Sequence, residues 1–100
     1  IGYQFNIISI PDEFILRQNF PNPFNPSTNI QFDLPEAGDV EIKVFDLRGN
    51  LVEELSNGYL DAGYHKVTWN ASNKASGMYF VKMVADNGQY IKISKMVLMK

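Results

Sequence analysis

The sequence contains no cysteine. Disulfides, thiolate metal sites and cysteine nucleophiles are excluded together. It also lacks a long apolar run. The longest, Met96-Val97-Leu98-Met99, is far too short to cross a bilayer. A strong field of one sign is missing as well: the net charge is -2 and the isoelectric point about 5.2. Nucleic acid is therefore a poor match as a partner. No basic-then-apolar segment opens the chain, which starts at Ile1. The expectation is a piece cut from something longer; if that parent is exported, its signal lies outside these residues.

What is present suits one domain of 100 residues. An apolar fraction of 45% is ordinary for a globular chain and argues against disorder. No segment keeps a helical period. Val40, Ile42 and Val44 alternate with Glu41 and Lys43, as on the two faces of a strand. Further strands are predicted at 50–55, 64–69, 78–85 and 90–99, and shorter ones at 14–18 and 29–34. In the last of these Ile30, Phe32 and Leu34 share a face, and in 50–55 Leu51 faces opposite to Val52. Asn57-Gly58 and Asn87-Gly88 suit tight hairpins, which need positive φ. Ala37-Gly38-Asp39, Arg48-Gly49-Asn50 and Ser76-Gly77 read as loop tips. Short strands with turn signals about every ten residues indicate an all-β, antiparallel, immunoglobulin- or fibronectin-like sandwich of about seven strands. A small barrel is the second choice.

Residues 1–13 are read as a linker or an added edge strand from a preceding domain, and 14–100 as the domain itself. Three of the five prolines fall in Phe20-Pro21-Asn22-Pro23-Phe24-Asn25-Pro26. Proline removes an amide donor, so no sheet interior runs through this stretch. It is expected to be a rigid loop pinned by Phe20 and Phe24, with asparagine side chains satisfying nearby backbone.

Catalysis has little to build on. His65 stands alone between Tyr64 and Lys66, and a surface or structural role is expected. No serine sits in a nucleophile elbow, and no glycine-rich phosphate loop occurs. Glu53-Glu54 and Asp12-Glu13 are neighbours, which point to opposite faces of a strand. Asp33, Asp39 and Asp61 lack calcium-loop spacing and are read as solvated charges. No catalytic, metal or cofactor site is expected. Trp69 shares a face with Val67 and is read as core, its indole nitrogen reaching a partner. The rival is an aromatic sugar-stacking platform, in a carbohydrate-binding or spacer module of an extracellular hydrolase. Asn70-Ala71-Ser72 matches a glycosylation acceptor, a match frequent by chance.

The ordered motifs carry a resemblance. Asn19-Phe20-Pro21-Asn22-Pro23-Phe24-Asn25-Pro26-Ser27-Thr28 is followed by Val44-Phe45-Asp46-Leu47-Arg48-Gly49-Asn50 and by Gly63 to Trp69. Ser76-Gly77-Met78-Tyr79 and Lys95-Met96-Val97-Leu98-Met99-Lys100 complete the series. From about residue 14 to 100 this resembles the type A C-terminal sorting domain of the type IX secretion system. It is also similar to the immunoglobulin-like domain of flagellar hook-capping proteins. Asn50 departs from the basic residue common at that place.

The resemblance implies a non-enzymatic address. Its parent would be a larger exported protein that reaches the periplasm by a separate signal and then the cell surface or medium. The implied partners are an outer-membrane translocon and a sortase-like peptidase, which would cut within residues 1–19. Lys95, Met96, Val97, Leu98, Met99 and Lys100 would form the recognised end. Two lysines would steer the contact and the apolar strand would supply a free backbone edge. Pro21, Asn22, Pro23, Phe24, Asn25, Pro26, Asp46, Gly49, Gly77 and Tyr79 would be mainly structural.

Overall fold

A computed structural model describes residues 9–100. Seven strands build two sheets and no α-helix occurs among these residues. They are β1 (Ile15–Leu16), β2 (Ser27–Leu34), β3 (Gly38–Asp46), β4 (Leu51–Leu60), β5 (Gly63–Asn70), β6 (Gly77–Ala85) and β7 (Tyr90–Leu98). One sheet runs β1-β2-β5, the other β4-β3-β6-β7, with antiparallel neighbours throughout. This is the expected immunoglobulin- or fibronectin-like sandwich.

Alternation explains the layers. Ile30, Phe32 and Leu34 from β2 are fully buried against Val40, Ile42 and Val44 from β3. Trp69 from β5 and Val81 and Met83 from β6 complete the middle. In β4, Leu51 faces solvent and Val52 packs on the core, as the alternation requires.

Three expectations need correction. The strand predicted at 14–18 is shorter, Ile15–Leu16, with one further backbone bond from the Arg17 amide to the Gln31 carbonyl (2.9 Å). Asn57-Gly58 makes no hairpin, because Asn57 and Gly58 pair with Glu41 and Val40 inside β4. Gly58 instead supplies φ +151° to an irregular strand, a value L side chains rarely adopt. Finally, Gly38 and Gly77 are not loop tips but the first residues of strands. Asn87-Gly88 does close a hairpin, between β6 and β7, within a short turn where Asp86 and Asn87 both have positive φ. Of residues 1–13, the first eight lie outside the described residues. Ser9 to Glu13 form no strand, and Pro11 is buried.

Candidate recognition site at the C-terminal strand

The proline-rich segment is where the two sheets are joined along one side. Asn19 is buried and donates from Nδ2 to the Pro21 carbonyl (3.2 Å) and to Thr28 Oγ1 (3.0 Å). Thr28 Oγ1 donates to the same carbonyl (2.8 Å). This small network fixes a loop whose prolines have no amide to give to a ladder. Phe20 exchanges both backbone bonds with Asn29. Its side chain, however, is 77% exposed, so it does not pin the loop as expected. Phe24 does: it is buried, with its ring 5.6 Å from that of Trp69.

The segment then covers the outer edge of β7. Asn22 Oδ1 accepts from the Val97 amide (3.0 Å). The Phe24 amide donates to the Val97 carbonyl (2.9 Å), and the Met99 amide donates to the Phe24 carbonyl (3.0 Å). Gln18 Nε2 donates to the Lys95 carbonyl (3.0 Å). The free backbone edge expected at the end of the chain is therefore occupied from within. No local pattern reveals the partner of Asn22, which lies 75 positions away.

Met96 and Leu98 are buried in the core, while Lys95, Met99 and Lys100 are exposed and Val97 is half-buried. The terminal segment thus has one face in the core and one in solvent. Lys100 is not free to swing: its Nζ donates to the Ser72 carbonyl (2.6 Å) and its amide to Ser76 Oγ (3.0 Å). Both serines lie in sequence motifs, Asn70-Ala71-Ser72 and Ser76-Gly77, but neither motif points to the terminal lysine.

The other motif residues have structural work. Asp46 closes the β3–β4 hairpin: its Oδ1 accepts from the amides of Arg48 (2.9 Å) and Asn50 (3.0 Å). The Asn50 side chain also donates to Oδ2 (3.4 Å), so the departure at this position serves the turn. These donors, the Asn50 amide foremost, hold the Asp46 carboxyl below its ordinary value of 3.8. Gly49 takes φ +84° at the tip. Tyr79 follows Gly77 near the start of β6 and donates its hydroxyl to the Ala75 carbonyl (2.6 Å). That is the corner by which sandwiches of this type fasten a loop to a strand. Pro26 anchors the far end, its carbonyl accepting from the Ala71 amide (2.9 Å).

Trp69 is buried, with its ring edge-on to Tyr79 at 5.2 Å. Its Nε1 has no hydrogen-bond partner, contrary to expectation. The rings of Phe24 and Tyr79 both pack against the indole. A buried Trp69 removes the centre of a sugar platform. The exposed aromatics Phe20, Tyr59 and Tyr64 sit on three separate elements. Asp33 is not the solvated charge expected but is buried beneath Arg17, which pairs with it from β1's end and has its own pKa raised by that bond. His65 stacks on Phe32 (5.3 Å), with Nε2 2.7 Å from the Asp61 carbonyl.

Among known proteins, the family model of the secretion system C-terminal sorting domain matches residues 18–99. Among curated proteins nothing matches. The matched span starts beside the Gln18–Asn19 network and ends on the terminal strand. It takes in the Asp46 turn and the Tyr79 corner. The chain belongs to the C-terminal sorting domain family, whose members are the signals that send larger proteins out by type IX secretion to the cell surface or medium.

Proposed function

We propose that the domain is read in folded form, through the outward side chains of its terminal segment. The family match over residues 18–99 carries this reading. Lys95, Val97, Met99 and Lys100 would make the contact, while Met96 and Leu98 hold the strand in the core. The partner is an outer-membrane translocon that meets the parent protein after periplasmic transit. A sortase-like peptidase then cuts within residues 1–19, ahead of the packed core. Residues 14–100 act as the sorting unit and 1–13 as the connection to the cargo. The unit itself has no catalytic role; any enzymatic activity belongs to the cargo.

Because two of the last residues are core, deleting the segment would confuse unfolding with lost recognition. The test changes only the outward ones: Lys95, Val97, Met99 and Lys100, each to Ser, in a periplasmic reporter fused to the domain. The expected result in a host with type IX secretion is a folded fusion that stays in the periplasm. Delivery equal to that of the unaltered fusion rejects this contact surface.

A further inference from the structure

The outer face of the four-stranded sheet carries an apolar groove that the packing of the domain does not use. Register places its side chains in rows across β4, β3, β6 and β7. One row is Leu51, Phe45, Phe80 and Lys95; the next is Glu54, Lys43, Lys82 and Ile93. Phe45, Asp46, Leu47, Phe80, Lys82 and Ile93 line an open groove of about 430 Å³, and the Asp46 carboxylate there is taken up by the Arg48 and Asn50 amides of its own turn. Leu47 is 63% exposed and Ile93 56%.

Charge is distributed unevenly along these rows. Lys43 is engaged by Glu41 (2.8 Å) and Glu54 (3.8 Å), so it is not open to a partner and the β4 side keeps a net negative charge. Lys82 and Lys95 form no ion pair among the described residues. They stand diagonally across from each other, and Phe80 and Ile93 occupy the opposite diagonal. This is a checkerboard of two cations and two apolar groups in a chain whose net charge is negative. A surface that is largely apolar and carries two cations left unpaired by the domain's own carboxylates has the anatomy of a docking site.

We infer that this groove docks an extended acidic and apolar segment of a partner protein. Apolar side chains of that segment fill the space between Phe45, Phe80 and Ile93. Its carboxylates meet Lys82 and Lys95, which lie on the same face as Val97 of the terminal segment. Complementary charge fixes the register of such a segment and speeds its arrival. The inference rests on the domain being gripped by a protein of the secretion route, and it extends the gripped area from the terminal segment onto β6 and β3.

The probe is a random-peptide display library panned on the immobilised 100-residue chain. Retained peptides should combine Asp or Glu with Leu, Ile or Phe. They should be held about tenfold less by the Lys82→Glu/Ile93→Ser chain, and equally well by Lys66→Glu, which changes charge on the other sheet. Enrichment of basic or uncharged peptides, no enrichment, or retention indifferent to Lys82 and Ile93 overturns the inference. The reporter fusion keeps the two ideas apart, since neither substitution touches residues 95–100. Loss of delivery with the terminal serines but not with Lys82→Glu/Ile93→Ser leaves the address standing and removes the groove. Loss with the groove variant alone leaves the groove and removes the terminal contact.

Discussion

Asp46 shows how a motif residue earns its place without touching a partner. Its carboxylate collects amide donors from Arg48 and Asn50 and is held below 3.8. A depressed carboxyl is more acidic folded than unfolded. Its stabilisation is present above the ordinary value and is lost as pH falls below it. Subtracting the acid denaturation curve of Asp46→Asn from that of the unaltered chain should isolate this loss. NMR titration of the Asp46 carboxyl should give a midpoint below 3.8; a midpoint at or above that value contradicts the hydrogen-bonded turn. Trp69 gives a second residue-scale prediction. Replacing it by Ala should cost about 3–5 kcal/mol in denaturant unfolding, as for other buried aromatics. Trp69→Phe should cost clearly less, because it keeps part of the ring volume and removes a donor that has no partner. Equal costs for the two would show that Nε1 finds a partner after all.

At the scale of elements, β7 is half covered and half open. Its amides alternate between β6 and the outer edge. Val97 and Met99 point outward, onto Asn22 and Phe24. Ile91 and Ile93 point the same way by alternation, and no backbone partner reaches them among the described residues. Hydrogen exchange should therefore be slow at Val97 and Met99 and fast at Ile91 and Ile93. Asn22→Ala should speed exchange at Val97 with little change at Met99, and uniform protection along the strand contradicts the strap. The strands themselves were legible in sequence because alternation such as Val40-Ile42-Val44 is a local signal. The strap was not, since nothing in Asn22 or Phe24 tells which distant edge they meet. Asn57-Gly58 misled for a related reason. A glycine that permits a turn also permits an irregular strand, and pairing with β3 decides between them.

On the scale of the whole molecule, the question is whether the address is a tail or a folded surface. Lys95 to Lys100 was legible as a motif, but its meaning depends on where the fold puts each side chain. Met96 and Leu98 are unavailable in the native state, and the outward edge at Val97 is already bonded. Lys100 is held against the loop at Ser72 and Ser76. A flexible copy of the same residues would offer all six side chains and every amide at once, in no fixed arrangement. It would also pay the ordering entropy on binding that the sandwich has already paid on folding. The prediction compares three fusions of one reporter. The first carries residues 14–100 and should be delivered. The second carries only Lys95 to Lys100 on a flexible linker and should remain in the periplasm. The third carries the domain with Phe24→Ala, which loses a buried ring and should be destabilised by about 3–5 kcal/mol. Its delivery should fall in proportion to the folded fraction measured at the same temperature, although the terminal residues are unchanged. Delivery of the second fusion, or full delivery of the third when it is mostly unfolded, means that the translocon reads a linear tail and that the sandwich serves only to protect it.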